Sequence, residues 1–392
     1  MGYLRNIKLQ YVISFVRALL PAYVIERLFW QERGMTVQLM VLCGVVYALT
    51  VMLLEVPGGM LADRFGRKPM ILLSYVLAAG EFIFTVFAHS FGMFALAMIA
   101  AGMSDALFNG SENALLYDSL LTEQKQGRFE KTLGKVNSLD SAGSMVAMLC
   151  GSVLANSFGF ELNYFISAGS LVVALLLSLG LKEPPLVTKN ENEVLGTFKQ
   201  AKQALKLFHV KHSVLMLCLS GMVLGAALSQ MDEFYQLILY GAGLPVIAFG
   251  IVGAVLTASR VPGNLLAHKL KQRLSYRSVL NAIFVVNIVG YLALFFARSA
   301  WAVAPIAVIS FAAGITDPLI MGYLHHETES HMRATVESFA SLGLQFLTML
   351  VGLLFGWVST RYSIFAGFVP LGVICAIWLV VFQVGRSKKK AG

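Results

Sequence analysis

Charged side chains stand inside long apolar segments of the sequence, among them Arg17, Glu81, Asp105 and Asp317. An ionised side chain at the centre of a bilayer costs about 2.5–3.5 kcal/mol on insertion scales, so each needs a partner or a task. Buried carboxylates can take up and release protons, and an arginine can pair with them. The chemistry that these residues predict is therefore proton transfer and charge pairing inside a membrane.

Asp105 is part of a polar stripe. Asp105, Asn109 and Glu112 are spaced i, i+4 and i+7, which places them on one face of a helix. The stripe could carry protons or hydrated substrate, although Glu112 is equally consistent with a simple interfacial residue. At about 1.5 Å per residue, Arg17 and Asp105 fall at similar depths in their segments. We expect them to pair, either as a switchable pair that substrate or a proton can open, or as a fixed structural bridge.

Glu81 and Asp317 each leave two interpretations open. Glu81 lies near the middle of its segment, and it is either a proton carrier or a residue held by a structural bond to a neighbour. Asp317 precedes Pro318, which removes a backbone hydrogen bond nearby. It contacts substrate or carries a proton, or it makes a hydrogen bond between helices.

Charged residues near the segment ends predict ion pairs that latch the two halves of the protein. Glu55 and Arg260 occupy equivalent repeat positions with opposite charge. The alternative is that these are static bridges or a solvated rim. The candidate pairs are Glu55 with Arg333, Arg260 with Asp140, and Arg27 with Asp232 or Glu233.

Neither a metal nor a cofactor is predicted. The four cysteines lie inside apolar runs with no paired spacing. His325, His326 and Glu327 are adjacent, so on a helix they do not face one site. A nucleophile with its base and a nucleotide-binding loop are both absent from the sequence, which leaves a membrane-embedded enzyme or sensor as a remote alternative and excludes ATP as the driving force.

The elements that position these residues are predicted to be membrane helices. Of the 392 residues, 57% are hydrophobic and only 13% are Asp, Glu, Lys or Arg, too few charges to cover a water-soluble domain. A spanning helix takes roughly 20 residues. Twelve apolar segments are long enough, so we predict an all-α membrane protein with twelve transmembrane helices. They lie near 9–30, 37–60, 70–88, 91–116, 136–158, 163–181, 214–239, 246–267, 278–297, 301–324, 335–357 and 363–384.

The distribution of Lys and Arg predicts the orientation. With the N-terminus inside, inner segments hold 24 of the 30 basic residues and outer segments hold four; Arg17 and Arg260 lie within spans. Basic residues resist translocation, so both termini are expected in the cytoplasm. The net charge of +9 is therefore a feature of topology, and nucleic acid is not an expected partner.

An internal repeat divides the chain. Residues 56–64 resemble residues 261–269, and residues 100–110 resemble residues 312–322, at corresponding spans of two halves. We predict two pseudo-symmetric six-helix bundles, residues 1–181 and 214–392, joined by a cytoplasmic linker over 182–213 with an interfacial helix. Such halves suggest a central cavity and alternating access by rocking. One chain holds both halves, which favours a monomer.

The loop after the second span carries a ten-residue motif, Gly59-Met60-Leu61-Ala62-Asp63-Arg64-Phe65-Gly66-Arg67-Lys68. It resembles the Gly-x-Leu-Ala-Asp-Arg-x-Gly-Arg-Lys motif of the major facilitator superfamily at every defined position. The resemblance implies the major facilitator fold over the whole chain. It also implies a gate in which Gly59 and Gly66 allow close approach, Asp63 faces the start of the eleventh span, and Arg64, Arg67 and Lys68 pair with acidic groups or lipid phosphates.

The second half departs from this motif, because His268 stands where the first half has Asp63. In the fifth span, Gly134, Gly143 and Gly151 resemble part of the family's glycine-rich antiport motif, without its proline. The segments around Glu55 and Ser111–Leu120 look like those of a bacterial branch often assigned to drug efflux.

These observations predict a secondary transporter of a bacterial cytoplasmic (inner) membrane. The expected activity is proton-coupled export of a lipophilic or amphipathic small molecule, with protons, substrate and membrane lipid as partners. An importer or a lipid flippase of the same fold is the alternative.

Overall fold

The computed structural model describes residues 3–185, 212–327 and 333–387. These ranges are helical throughout, with short connections, which confirms the predicted all-α fold. Within them, eleven helical segments are long and apolar enough to cross a membrane, and the helix over Phe368–Val384 is a shorter twelfth. The predicted interfacial helix at 197–211 lies outside the described residues.

Internal contacts divide the chain into two compact units. The N-terminal unit is Met1–Thr188 with Val246–Ile251, and the C-terminal unit is Lys189–Pro245 with Val252–Gly392. The exact domain boundaries stay a prediction, since the linker is largely outside the described residues.

The N-terminal unit places α4 between α5 and α7, with α3 against α5 and α1 against α6 and α7. Glycines with positive φ make its tightest turns, Gly66 at +101° and Gly159 at +88°, a backbone region that other residues rarely adopt. Buried aromatic rings pack near the start of α5, where Trp30 and Phe94 lie 4.7 Å apart. The helices are α1 Leu4–Arg17, α2 Glu26–Glu32, α3 Val37–Phe65, α4 Arg67–Val86, α5 Phe91–Thr122, α6 Phe129–Phe158 and α7 Phe160–Ser178.

The first predicted span, near 9–30, contains a break. Helix α1 ends at Arg17, and a 3₁₀-helix at Pro21–Val24 leads into α2. Pro21 has no N–H to continue the helical ladder. Side chains of α7 form hydrogen bonds with backbone groups at this break. The amide of Asn163 donates to the Pro21 carbonyl at 3.1 Å, and the Ala22 N–H donates to the Ser167 hydroxyl at 3.1 Å.

The C-terminal unit places α8 against α11 and α12, and α10 against α11 and α13. Several helices extend past the predicted apolar segments, because hydropathy marks the buried part of a helix and not its polar ends. The helices are α8 His212–Gly241, α9 Ile247–Arg273, α10 Tyr276–Phe296, α11 Val303–Glu327, α12 Arg333–Arg361 and α13 Phe368–Ser387.

The predicted repeat corresponds to the same helix crossing in both units. In the N-terminal unit, Gly58 of α3 faces the Ala106 carbonyl of α5, where a Cβ would lie at 2.9 Å. In the C-terminal unit, a Cβ on Gly263 of α9 would collide with the Phe311 carbonyl of α11. The aligned pairs Gly58/Gly263 and Gly102/Gly314 therefore have one physical cause, the close approach of two helix backbones.

Candidate functional site

Arg17 is the centre of a charged cluster in the N-terminal unit. Its Nη2 donates to Asp140 Oδ1 on α6 at 2.7 Å, and its guanidinium lies 4.4 Å from the centre of the Phe108 ring on α5. The two charged side chains are 29% and 33% exposed. Arg17 is the last residue of α1, where the negative end of the helix dipole favours a cation.

Two further carboxylates interact with this guanidinium. Glu112 and Asp105 of α5 both attract Arg17 electrostatically, together with Asp140. Asp105 accepts a hydrogen bond from the Tyr47 hydroxyl of α3 at 2.5 Å. Three carboxylates therefore attract one arginine, and Asp140 bonds it directly. The rest of the predicted stripe, Asn109, is exposed on the same helix.

The predicted direct pair of Arg17 with Asp105 is wrong, because Arg17 bonds Asp140 instead. The reason is the approach of α1 to α6: a Cβ on Gly143 would collide with the Phe15 carbonyl. Gly143 lies one turn from Asp140, so this contact brings the Asp140 carboxylate to the end of α1. Equal depth in the membrane could not reveal which helix face each side chain occupies.

The motif in the loop between α3 and α4 forms a second network of charged groups. The end of the N-terminal unit that holds this loop is called the motif end, and the end with residues 34–36 and 87–90 is called the far end. The Arg67 guanidinium pairs with Asp63 four residues earlier. It also lies 3.7 Å from Asp118 of α5, which is 9% exposed. Arg64 lies over the Phe65 ring at 5.4 Å.

Glu183 holds the loop of this motif in place. Its two carboxylate oxygens accept hydrogen bonds from the backbone N–H groups of Arg67 and Lys68, both at 2.7 Å, at the start of α4. The Lys68 ammonium donates to the Leu179 carbonyl at 2.8 Å. The first N–H groups of a helix have no partner within the helix, so a carboxylate there is favourable. The predicted contact of Asp63 with the eleventh span remains a prediction.

The C-terminal unit has a second charged cluster. Arg260 of α9 donates to both carboxylate oxygens of Asp232 on α8 at 2.6 Å. Asp317 of α11 interacts electrostatically with both residues and is exposed. The structure thus brings together Asp317 and two residues that the sequence placed in separate latches.

Arg260 and Asp140, which were predicted to latch together, each have a partner in their own unit, Asp232 and Arg17 respectively, and the latch between them stays a prediction. Glu55 is exposed on α3, and the side chain of its predicted partner Arg333 lies outside the description. Arg27 lies 3.8 Å from Glu26 and over Trp30; its predicted outer latch stays a prediction.

Sequence reasoning missed Tyr47, Phe108, Asp118 and Glu183. In the sequence, Asp118 and Glu183 look like the polar residues that occur at many helix ends. Tyr47 and Phe108 look like the aromatic residues that occur throughout apolar segments. The sequence carried one signal, the position of Glu183 directly after the sixth span. Among the described residues, no group of three or more His, Cys, Asp or Glu side chains could hold a metal ion.

Comparison with known proteins identifies the class. The family model of the Major Facilitator Superfamily matches residues 9–346, so the chain belongs to this superfamily. Its members are transporters, which confirms the prediction of a multi-pass membrane transporter that is not an enzyme.

Two relatives and one solved structure illustrate the similarity. The chain is 24% identical over 354 residues to the MFS-type transporter YxaM of Bacillus subtilis (strain 168), covering 88% of this chain and 86% of the relative. It is 24% identical over 353 residues to the quinolone resistance protein NorA of Staphylococcus aureus (strain MSSA476), with the same coverage. The crystal structure of the nucleoside transporter NupG superposes with a TM-score of 0.77 at 14% identity, covering 97% of this chain and 98% of that one, which shows a shared fold.

Proposed function

We propose that this transporter exports lipophilic or amphipathic small molecules from the cytoplasm of a bacterium in exchange for protons. It would lie in the cytoplasmic membrane as a monomer, with both termini and the motif end inside. The similarity to a quinolone resistance protein supports the substrate class and the direction.

The observation that carries the proposal is the cluster around Arg17. One guanidinium is shared among Asp140, Asp105 and Glu112, so the cluster holds an excess of carboxylates within a spanning unit. An uncompensated carboxylate at bilayer depth is stabilised by taking up a proton. A bound proton neutralises Asp105 or Glu112, and release of the proton restores a negative charge that Arg17 or a substrate can neutralise.

Coupling follows from this competition. A substrate that binds only the deprotonated cluster cannot be bound while the proton is present, so the two travel in opposite directions as the halves alternate between faces. The motif network of Asp63, Arg67, Asp118 and Glu183 would set the equilibrium between these states. Breaking it would shift the population toward one face and lower the transport rate.

The test is the Asp105→Asn variant. We expect it to fold and insert normally, because Asn keeps the size of Asp and still accepts the Tyr47 hydrogen bond, but to lose accumulation driven by a pH gradient. Proteoliposomes holding wild-type or variant protein would be loaded by a pH gradient with tetracycline, norfloxacin or ethidium as the probe. Glu130→Gln, at an exposed carboxylate near the start of α6, is the matched control.

Accumulation of at least one probe by the wild type, abolished by a protonophore, is the expected result. A wild type that ignores the pH gradient for all three probes refutes proton-coupled export. Normal accumulation by Asp105→Asn refutes the role of that residue.

Uptake or lipid flipping is the second candidate, because a nucleoside transporter has the same fold. The polar stripe of Asp105, Asn109 and Glu112 suits a hydrated solute. In intact cells, a protonophore raises the internal level of an exported compound and lowers that of a compound taken up with protons.

A further inference from the structure

A buried acidic residue of the N-terminal unit lies away from the Arg17 cluster. Glu81 on α4 is 6% exposed and sits between the broken first span and α7. Its neighbour Phe82 packs against Tyr23 with ring centres 5.6 Å apart and against Tyr164 at 6.0 Å. The carboxylate is thus held at the point where α4 meets the break that follows α1.

Polar groups surround this carboxylate from every neighbouring element. Glu26 and Arg27 of α2 and Asp105 of α5 interact with it electrostatically. The Tyr164 hydroxyl of α7 and the Trp30 indole lie beside each other, almost fully buried, and neither makes a hydrogen bond to any other residue that the structure describes. Two further carboxylates and one arginine therefore act electrostatically on Glu81.

Glu81 and Glu26 lie at similar depth along the membrane direction, and Asp105 lies closer to the motif end. The Ser104 hydroxyl donates to the Ser74 carbonyl at 2.9 Å, which sets Asp105 level with that turn of α4. Glu81 is seven residues farther along α4, about 10 Å closer to the far end at 1.5 Å per residue. Glu26, at the start of α2, lies eight residues before Gly34, and Glu81 lies six residues before Phe87, so both are about 10 Å from the far end.

Tyr23 connects the three carboxylates. It interacts electrostatically with Glu81, Glu26 and Asp105. A tyrosine hydroxyl can accept one proton in a hydrogen bond while it donates another, so it can relay a proton between carboxylates without becoming charged. Tyr23 belongs to the 3₁₀-helix at Pro21–Val24, so the break in the first span is what places this hydroxyl beside α4 and α5.

We propose that Glu81 relays protons between Glu26 and Asp105, with the Tyr23 hydroxyl completing the route. The proposal rests on the proposed proton coupling and names its path within the N-terminal unit. A proton arriving at Glu26 moves to Glu81 and then to Asp105, and each carboxylate returns to its ionised form after passing the proton on.

The test separates proton transfer from carrier movement. Glu81→Gln keeps the shape of the side chain and cannot carry a proton. In proteoliposomes, with whichever of tetracycline, norfloxacin or ethidium the wild type accumulates, we expect Glu81→Gln to keep exchange of the compound at equal pH. The initial rate of accumulation driven by a pH gradient should fall by about a hundredfold, the lower end of the range for loss of a positioned proton-transferring group. Glu81→Asp, which retains a carboxylate, should recover part of it.

The control is Glu161→Gln, which removes an exposed far-end carboxylate that pairs with Arg33 at 3.0 Å. It should behave as the wild type in both assays. An infrared difference spectrum between acid and neutral pH gives a second readout that needs no substrate, since a relay carboxyl contributes a band that Glu81→Gln removes.

The possible results distinguish failure of the relay from failure of the proposed function. Gradient-driven accumulation by Glu81→Gln at the wild-type level overturns the route and leaves proton coupling intact. Loss of both accumulation and exchange in a folded Glu81→Gln protein means that Glu81 supports the conformational change, which also overturns the relay. A wild type that ignores the gradient refutes the proposed function itself.

Discussion

The two units share a helix crossing and differ in the chemistry built on it. Both bring their second and fourth spans together at repeat-related glycines, and both place an Arg–Asp pair near a repeat-related aspartate, Asp105 or Asp317. In the N-terminal unit the arginine ends α1, bonds Asp140 and is attracted by two further carboxylates. In the C-terminal unit the arginine is on α9 and pairs with Asp232. The two units therefore share the backbone packing of the repeat, whereas their charged groups lie on different helices.

The loop motif shows the same difference. In the N-terminal unit, Glu183 reaches the start of α4 from 116 residues away in sequence. In the C-terminal unit, the corresponding helix α10 is capped locally, by the Ser275 hydroxyl accepting from the Ser278 N–H at 3.2 Å. A long-range cap ties the loop to the end of α7, whereas a local cap stabilises only its own helix.

The largest expected effect is at the shared crossing. Gly314→Ala places a methyl group against the Arg260 carbonyl, which is backbone and cannot move aside. We expect a loss of about 3 kcal/mol, the upper range for overpacking. Gly102→Ala meets the Thr50 Cβ at 2.8 Å and the Tyr47 carbonyl at 3.0 Å, a smaller overlap, so we expect about 1–2 kcal/mol. Thermal unfolding of the purified proteins in detergent measures both.

Gly322→Ala is the matched control for this experiment, since nothing lies within 4 Å of the added Cβ on the same helix. Equal stability of Gly314→Ala and Gly322→Ala would show that the two helices are not in close contact there.

An intermediate effect is expected for the two ion pairs. Double-mutant cycles with Arg17→Met and Asp140→Asn, and with Arg260→Met and Asp232→Asn, should each give a coupling of about 1–2 kcal/mol, because the side chains are about one-third exposed. Arg17→Met should cost about 0.5–1 kcal/mol more than Arg260→Met, since it also loses the Phe108 ring. The coupling is obtained from the melting temperatures of the four proteins in each cycle. A coupling of zero within either pair would contradict that pairing.

The smallest effect on stability is expected at the two caps. Ser275→Ala should lose about 0.5–1 kcal/mol, and Glu183→Ala about 1–2 kcal/mol because two hydrogen bonds disappear. Only Glu183→Ala should also lower the transport rate, and Glu183→Gln, which keeps one acceptor, should restore part of it. Equal transport rates of Glu183→Ala and Ser275→Ala would show that Glu183 has no role in gating.

Much of the fold could be predicted because lipid leaves few choices. A chain in hydrocarbon must satisfy its backbone hydrogen bonds internally, so apolar length alone identifies helices. The glycines of the repeat were visible for a similar reason, since only Gly allows two backbones to meet at Gly263 and Gly314. The break after Arg17 was not predicted, because its stability depends on Asn163 and Ser167 of α7, far away in sequence.

The sequence by itself determined the helices, the repeat, the motif and the superfamily, all of which depend on local composition or on residues close along the chain. Only the tertiary structure decided that Arg17 bonds Asp140, that Arg260 bonds Asp232 and that Glu183 caps α4. The physical reason is rotation: residue counts along a helix give depth in the membrane, but which neighbour a side chain faces depends on how each helix turns about its axis when all of them pack together.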